Sequence, residues 1–279
     1  MMLVWVDGVE TDRAALPVGD GAVLRGDGCF EVLRVYRGSP FEAAAHLDRL
    51  ERSARALRLP IPDRWRLEEW VARAAEVGRE CAVRVVLTRG AAIPGSDAPP
   101  RCLVMVHPMP VGPVAVDLLP VTAPWHPAGA AWELAGAKTL SYAPNLAAGR
   151  CAEEQGYHDA LLVALEGTVL EGPTFSVAWV VEGKLETPSL DLHVLDSITR
   201  RVVLTDARRL GLTVEEGRFP LGRLQGASEV LVLSTVKEVT PVARVGEWTY
   251  RSGPVTGRLR EAFDLRVVQL TSPQGSVGR

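Results

Sequence analysis

The chain has 279 residues, 47% of them apolar and 23% charged, with a formal net charge of −3. That length allows one large domain or two small ones, and the apolar fraction is ample for a sizeable core. Arginines and acids are interspersed without a basic tract, which argues against a nucleic-acid partner. The four cysteines (Cys29, Cys81, Cys102, Cys151) have no CxxC spacing, and the histidines are scattered, so no metal site is expected. The thiols read as free, mostly buried side chains of a cytosolic protein. Residues Met1 to Asp7 lack the basic start and apolar core of a signal peptide, and no stretch approaches a membrane span.

In chain order, Leu3 to Val6 read as a strand turning at Asp7-Gly8, and Glu31 to Tyr36 as another turning at Arg37-Gly38. After Pro40, Leu47, Leu50, Ala54 and Leu57 recur at spacings of three and four, an amphipathic helix closed by Pro60. A second helix is predicted from about Leu67 to Val77. Strands are predicted at Ala82–Leu87, Leu103–Val106 and Val114–Leu119, with a Gly-, Pro- and Asp-rich loop from Gly90 to Pro100. Two prolines and a glycine around 121–129 suggest a linker between a smaller part, 1–120, and a larger one, 130–279. Beyond it come a helix from about Asn145 to Gln155 and strands at Leu161–Leu165, Thr168–Leu170 and Val177–Val181. A helix from Ile198 to Leu210 stops at Gly211, a strand spans Glu229–Leu233, and a last helix lies near Arg258–Phe263. Alternating strands and helices make the class α/β or α+β. Gly19-Asp20-Gly21 lacks the full dinucleotide pattern, and there is no P-loop.

Positive charge comes almost entirely from arginine, which singles out Lys138 in Ala135-Gly136-Ala137-Lys138-Thr139-Leu140-Ser141-Tyr142. Further along stand an acid in a turn, Glu171-Gly172, a helix start at Ser197-Ile198-Thr199-Arg200, and a strand ending in Ser234-Thr235. Taken singly, each has a bland reading. Most lysines are solvated, Glu171 could be an exposed turn acid, Ser197 could simply cap its helix, and Arg49 could be a helix-surface charge like Arg52 or Arg55.

Their order and spacing, together with Arg25-Gly26-Asp27-Gly28-Cys29-Phe30-Glu31, His46-Leu47-Asp48-Arg49-Leu50 and Ser234-Thr235-Val236-Lys237-Glu238-Val239-Thr240-Pro241-Val242, resemble the fold-type IV, or class IV, aminotransferases over nearly the whole chain. The resemblance implies two domains with pyridoxal 5′-phosphate (PLP) between them. It implies Lys138 as the Schiff-base lysine and proton shuttle, and Glu171 as partner of the pyridine nitrogen. Arg49, Ile198, Thr199, Ser234 and Thr235 would hold the phosphate. Arginine suits it because its planar fork gives paired, charge-assisted bonds, and a helix start because its N–H groups are free. The family motif usually has Asn five residues after the glutamate, and here that position is Ser176. A homodimer is implied, with a loop from each subunit completing the other's site.

The resemblance leaves the substrate open among several activities. D-amino-acid aminotransferases resemble the chain at Thr88-Arg89-Gly90, but then carry an Arg and a His that hold the substrate carboxylate. Here Ala91-Ala92-Ile93-Pro94-Gly95-Ser96-Asp97 has neither. Arg25 and Arg89 are substitute candidates, although such an arginine is more often a structural ion-pair partner than a ligand. Phe30, Tyr142 and Trp179 are candidates for an apolar pocket wall, and Gly90–Pro100 for a specificity loop. The favoured expectation is amino transfer between a D-amino acid and a 2-oxo acid such as pyruvate or 2-oxoglutarate. The nearest alternative is 4-amino-4-deoxychorismate lyase, which releases pyruvate and 4-aminobenzoate. An (R)-amine or branched-chain transaminase is a further one, though the Gly-Gly-Asn-Tyr pattern usual after the lysine of branched-chain enzymes is missing.

Overall fold

The computed structural model describes residues 3–271. The described residues divide into two compact units, those within Met1–Pro110 and Asp264–Arg279, and those of Val111–Phe263.

The first unit contains β1 (Leu3–Val6), β2 (Val9–Thr11), α1 (Gly21–Arg25), β3 (Gly28–Tyr36), β4 (Ser39–Pro40), α2 (Ala43–Ala56), α3 (Arg64–Val77), β5 (Glu80–Thr88) and β6 (Cys102–His107). Its strands form one antiparallel sheet in the order β2-β1-β6-β5-β3-β4. Alternation sorts β3 into two sets. Cys29, Leu33 and Val35 pack with Leu47, Leu50 and Ala54 of α2 and with Leu67, Val71 and Ala74 of α3. Phe30, Val32, Arg34 and Tyr36 belong to the other face.

The second unit contains β7 (Val116–Thr122), α4 (Ala143–Glu154), β8 (Asp159–Val163), β9 (Ser176–Val181), β10 (Lys184–Pro188), α5 (Ile198–Arg209), β11 (Val214–Gly217), β12 (Glu229–Ser234), β13 (Glu238–Val245) and β14 (Trp248–Thr249). The order is β11-β10-β9-β12-β13-β7-β8, with β14 on β13, and parallel and antiparallel pairs are mixed. One face of this sheet buries Val177, Trp179, Val230, Val232 and Val242. The alternate residues face helices: Ala160 and Leu162 of β8 pack with Ala148 and Ala152 of α4. A last helix, α6 (Pro254–Thr271), is capped by the buried Glu229, which accepts from the N–H groups of Val255 and Thr256.

Three details depart from the predicted elements. Val121 and Thr122, expected in a linker, are the last residues of β7. The segment 168–170, expected as a strand, makes only single bridges, Thr168 to Pro220 and Val169 to Val163. The tight turn at Gly167 returns the chain along β8 for too few residues to build a ladder. The C-terminal helix is far longer than its apolar centre suggested. Among the described residues no helix is long and apolar enough to cross a membrane, and no group of three His, Cys, Asp or Glu side chains could hold a metal ion.

Candidate active site

In the second unit, Lys138 sits just before α4, and its Nζ donates to the Tyr142 hydroxyl at 3.2 Å. The same ammonium lies 5.4 Å from the centre of the Tyr142 ring. Pro144 near the start of α4 fits its missing N–H to a turn that would leave that donor unused. Ala148 and Ala152 of α4 then pack against Leu162, Leu170, Leu192 and Val194. Leu170 and Val194 directly precede Glu171 and Leu195 in the chain, so one apolar cluster ties the helix after Lys138 to the turn that carries Glu171.

Glu171 follows the short return along β8, and its carbonyl accepts from the Leu162 N–H at 2.8 Å. Gly172 is required next because the Phe175 ring occupies the space that a Cβ would fill. The Glu171 carboxylate accepts from the Leu195 N–H at 3.0 Å through Oε2, and His126 Nε2 stands 3.9 Å from Oε1. Nothing in the sequence had marked His126, a lone histidine between Trp125 and Pro127.

Two residues after Leu195, Ser197 caps α5 by accepting from the Arg200 N–H at 3.2 Å. Ile198 and Thr199 are buried in the first turn, whose N–H groups lack intrahelical acceptors and carry the positive end of the helix dipole. The buried Arg200 anchors this turn to the Thr187 hydroxyl, the Pro188 carbonyl and Glu216. Ser234 ends β12, which packs beside α5, and Thr235 follows in the turn. Ser234 Oγ accepts from the Lys237 N–H, and Lys237 Nζ donates to Asp159. Register places Ser176 opposite Leu233, at the same end of the sheet. Its hydroxyl is buried without a hydrogen-bond partner among the described residues.

Other predicted residues are placed differently. Trp179 is fully buried in the sheet core, edge-on to Phe219, with Nε1 donating to Glu186 at 2.7 Å. It therefore has no surface to offer a pocket wall: an inward position on a central strand is filled by core packing. In the first unit, Arg89 is committed to structure, gripping both oxygens of Asp27 and the carbonyls of Leu57 and Arg58. Arg25 remains exposed in the last turn of α1. Phe30 is buried on the sheet face away from α2, with the Arg84 guanidinium 5.0 Å from its ring centre.

Arg49 is not a surface charge. It is buried in α2 with His46, one turn away, and both meet the fully buried Glu31 of β3. Arg49 donates to Glu31 through Nε at 2.6 Å and Nη2 at 2.9 Å, and His46 Nδ1 lies 2.8 Å from the same carboxylate. Burial raises the Glu31 pKa, but Arg49 and His46 more than offset that and bring it down to about 2.

A family model described as amino-transferase class IV matches residues 28–245. The chain belongs to that family. It is 36% identical over 292 residues to a bifunctional aminodeoxychorismate lyase / D-amino acid transaminase of Mycobacterium tuberculosis, covering 96% of this chain and 99% of that protein. It is 31% identical to a putative branched-chain-amino-acid aminotransferase of Methanocaldococcus jannaschii, covering 95% and 96%. Among solved structures, the PLP-bound form of a hypothetical aminotransferase from M. tuberculosis superposes with a TM-score of 0.87 at 30% identity, over 96% of this chain and 99% of that one.

The fold is that of the fold-type IV enzymes and the cofactor of the family is PLP. The second unit fits that group by its donor set. An amine, a carboxylate, a helix start and a buried hydroxyl without a hydrogen-bond partner among the described residues are carried by segments that border one apolar cluster and one sheet end.

Proposed function

We propose that this class IV aminotransferase moves an amino group between a D-amino acid and a 2-oxo acid, pyruvate or 2-oxoglutarate. PLP supplies a reactive aldehyde carbon and a ring that takes up electrons. Lys138 would hold the cofactor through that carbon, and its amine would move a proton between the donor Cα and the cofactor C4′. Tyr142, in contact with the Lys138 amine, orients it. Glu171 would pair with the ring nitrogen and favour its protonated form. The α5 start at Ile198 and Thr199, with Ser234, Thr235 and Arg49, holds the phosphate. Phe30 shapes the apolar wall, and the enzyme works as a homodimer.

The arrangement of Lys138, Glu171 and the α5 start within one unit supports the cofactor roles. The D-amino-acid reading is supported by the M. tuberculosis relative that carries that activity in its name. The same relative is also named a lyase, so release of pyruvate and 4-aminobenzoate from 4-amino-4-deoxychorismate is the second reading. It is favoured by the missing Arg and His in the loop Ala91–Asp97. Arg25 is the better remaining cation for a substrate carboxylate, since Arg89 already spends its donors on Asp27 and two carbonyls.

Half-reaction spectra of the purified protein with D-alanine, L-leucine, (R)-1-phenylethylamine and 4-amino-4-deoxychorismate test the proposal. Conversion of the cofactor band by D-alanine but not by L-leucine is expected. Silence with D-alanine together with pyruvate release from aminodeoxychorismate would replace the transaminase reading by the lyase.

A further inference from the structure

We infer that His126 is the positioning residue for Glu171, fixing one edge of its carboxylate while the Leu195 N–H fixes the other. The inference rests on the reading of Glu171 as partner of the cofactor ring nitrogen.

The segment that carries His126 is pinned at several points. The Ala123 N–H donates to the Val163 carbonyl at the end of β8, and the His126 N–H donates to the Ala123 carbonyl. The Trp125 indole donates to Asn145 of α4 at 2.9 Å. The ring itself is also fixed, because Nδ1 accepts from the Ala128 N–H at 3.1 Å. A nitrogen that accepts a hydrogen bond carries no proton, so the ring proton sits on Nε2. Nε2 is the atom that stands 3.9 Å from Glu171 Oε1. Both side chains are largely buried, with exposures of 10% and 16%, so water screens little between them.

On the other edge, Oε2 takes the Leu195 N–H at 3.0 Å. Two donors from two chain segments thus address the two oxygens, which restricts rotation of the carboxyl plane. The His126 contact is longer than a hydrogen bond, and a side-chain movement of roughly 1 Å closes it. The His126 ring meets the Ala128 N–H on one side and Glu171 on the other. Its action on the cofactor runs through Glu171, in the way that a histidine's second partner orients a metal ligand.

The test uses side chains that imitate one ring nitrogen at a time. In His126→Gln the amide nitrogen reaches as far as Nε2 did, so the donor toward Glu171 is restored. In His126→Asn the amide oxygen matches Nδ1, which keeps the Ala128 bond and removes the donor. Apoprotein prepared from each holoenzyme is titrated with PLP, and the 15N chemical shift of ring-labelled PLP is read by NMR.

The inference expects His126→Asn to weaken PLP on the order of tenfold and to move the nitrogen signal toward an unprotonated ring, with an unchanged circular dichroism spectrum. His126→Gln is expected to stay near wild type in both. Two variants equal to wild type, or two variants equally impaired, would overturn it, the second result marking a packing role. His126→Ser stands in as the truncation if the Asn variant does not fold. Glu171→Gln runs alongside, and an unmoved affinity and 15N signal there would remove the Glu171 reading and this inference with it. A shift in Glu171→Gln without one in His126→Asn would remove this inference alone.

Discussion

Replacing Glu31 by glutamine should destabilise the first unit by about 3–5 kcal/mol, because it leaves the buried Arg49 guanidinium without its counter-charge. Glu31 is fully buried and receives two bonds from Arg49 and one contact from His46. Glutamine keeps the shape but turns one acceptor oxygen into an NH2 donor, which then faces a donor of Arg49 or His46. The carboxyl pKa expresses the same contacts as a figure. It falls from 4.5 to about 2 despite burial, because Arg49 and His46 prevail. At 1.36 kcal/mol per unit, that depression is worth roughly 3 kcal/mol. Because the folded pKa lies below the unfolded one, this stability is fully present above pH 4.5 and is lost as pH falls from there toward 2. Urea unfolding of wild type and Glu31→Gln at pH 7, with hydrogen exchange of β3 and α2 peptides, measures the cost. Repetition at pH 3 should show the two proteins closer together. A loss below about 1 kcal/mol at pH 7, without faster exchange in those peptides, would refute the argument.

Four other outcomes are expected. Arg49→Ala should both weaken PLP in a titration of the apoprotein and lower the unfolding midpoint, since it strands Glu31 in the core. Arg25→Ala should raise KM for D-amino acids more than for (R)-amines, which carry no carboxylate, in steady-state assays. Arg89→Ala should instead lower thermal stability and leave the ratio of the two activities unchanged, because its partners are Asp27 and backbone carbonyls. A thiol reagent at pH 8 should modify Cys151 quickly and the other cysteines slowly. Cys151 is exposed, whereas burial, with Glu31 nearby, pushes the Cys29 thiol up to about 12, and Cys81 and Cys102 are raised mainly by burial as well.

Apolar periodicity carried most of the fold. The stripe Leu47, Leu50, Ala54 marks the buried face of α2, and the runs at 82–87 and 103–106 lie within β5 and β6. Elements without that pattern were not legible. β10 reads Lys-Leu-Glu-Thr-Pro and hides its buried Glu186 and Thr187, whose partners Trp179, Arg223 and Arg200 come from elsewhere in the chain. β13 contains Pro241, which lowers any local strand signal. The site divides in the same way. Lys138, Glu171 and the α5 start came from a motif pattern, because residues of these types are common and only their order is informative. Trp179 belongs to the core and not to a pocket wall, since an aromatic on a strand gives no sign of which face it will occupy. His126 was missed because its meaning lies in two contacts, with Ala128 and Glu171, that exist only once β8 and α4 have placed its loop.

The central claim is that Lys138 is the group that binds PLP. Borohydride reduction of the holoenzyme, proteolysis and peptide mapping test it directly. A pyridoxyl group is expected on the peptide that contains Lys138, and none after Lys138→Ala. A label on Lys184 or Lys237, or a wild-type protein that takes up no label from PLP, would contradict it.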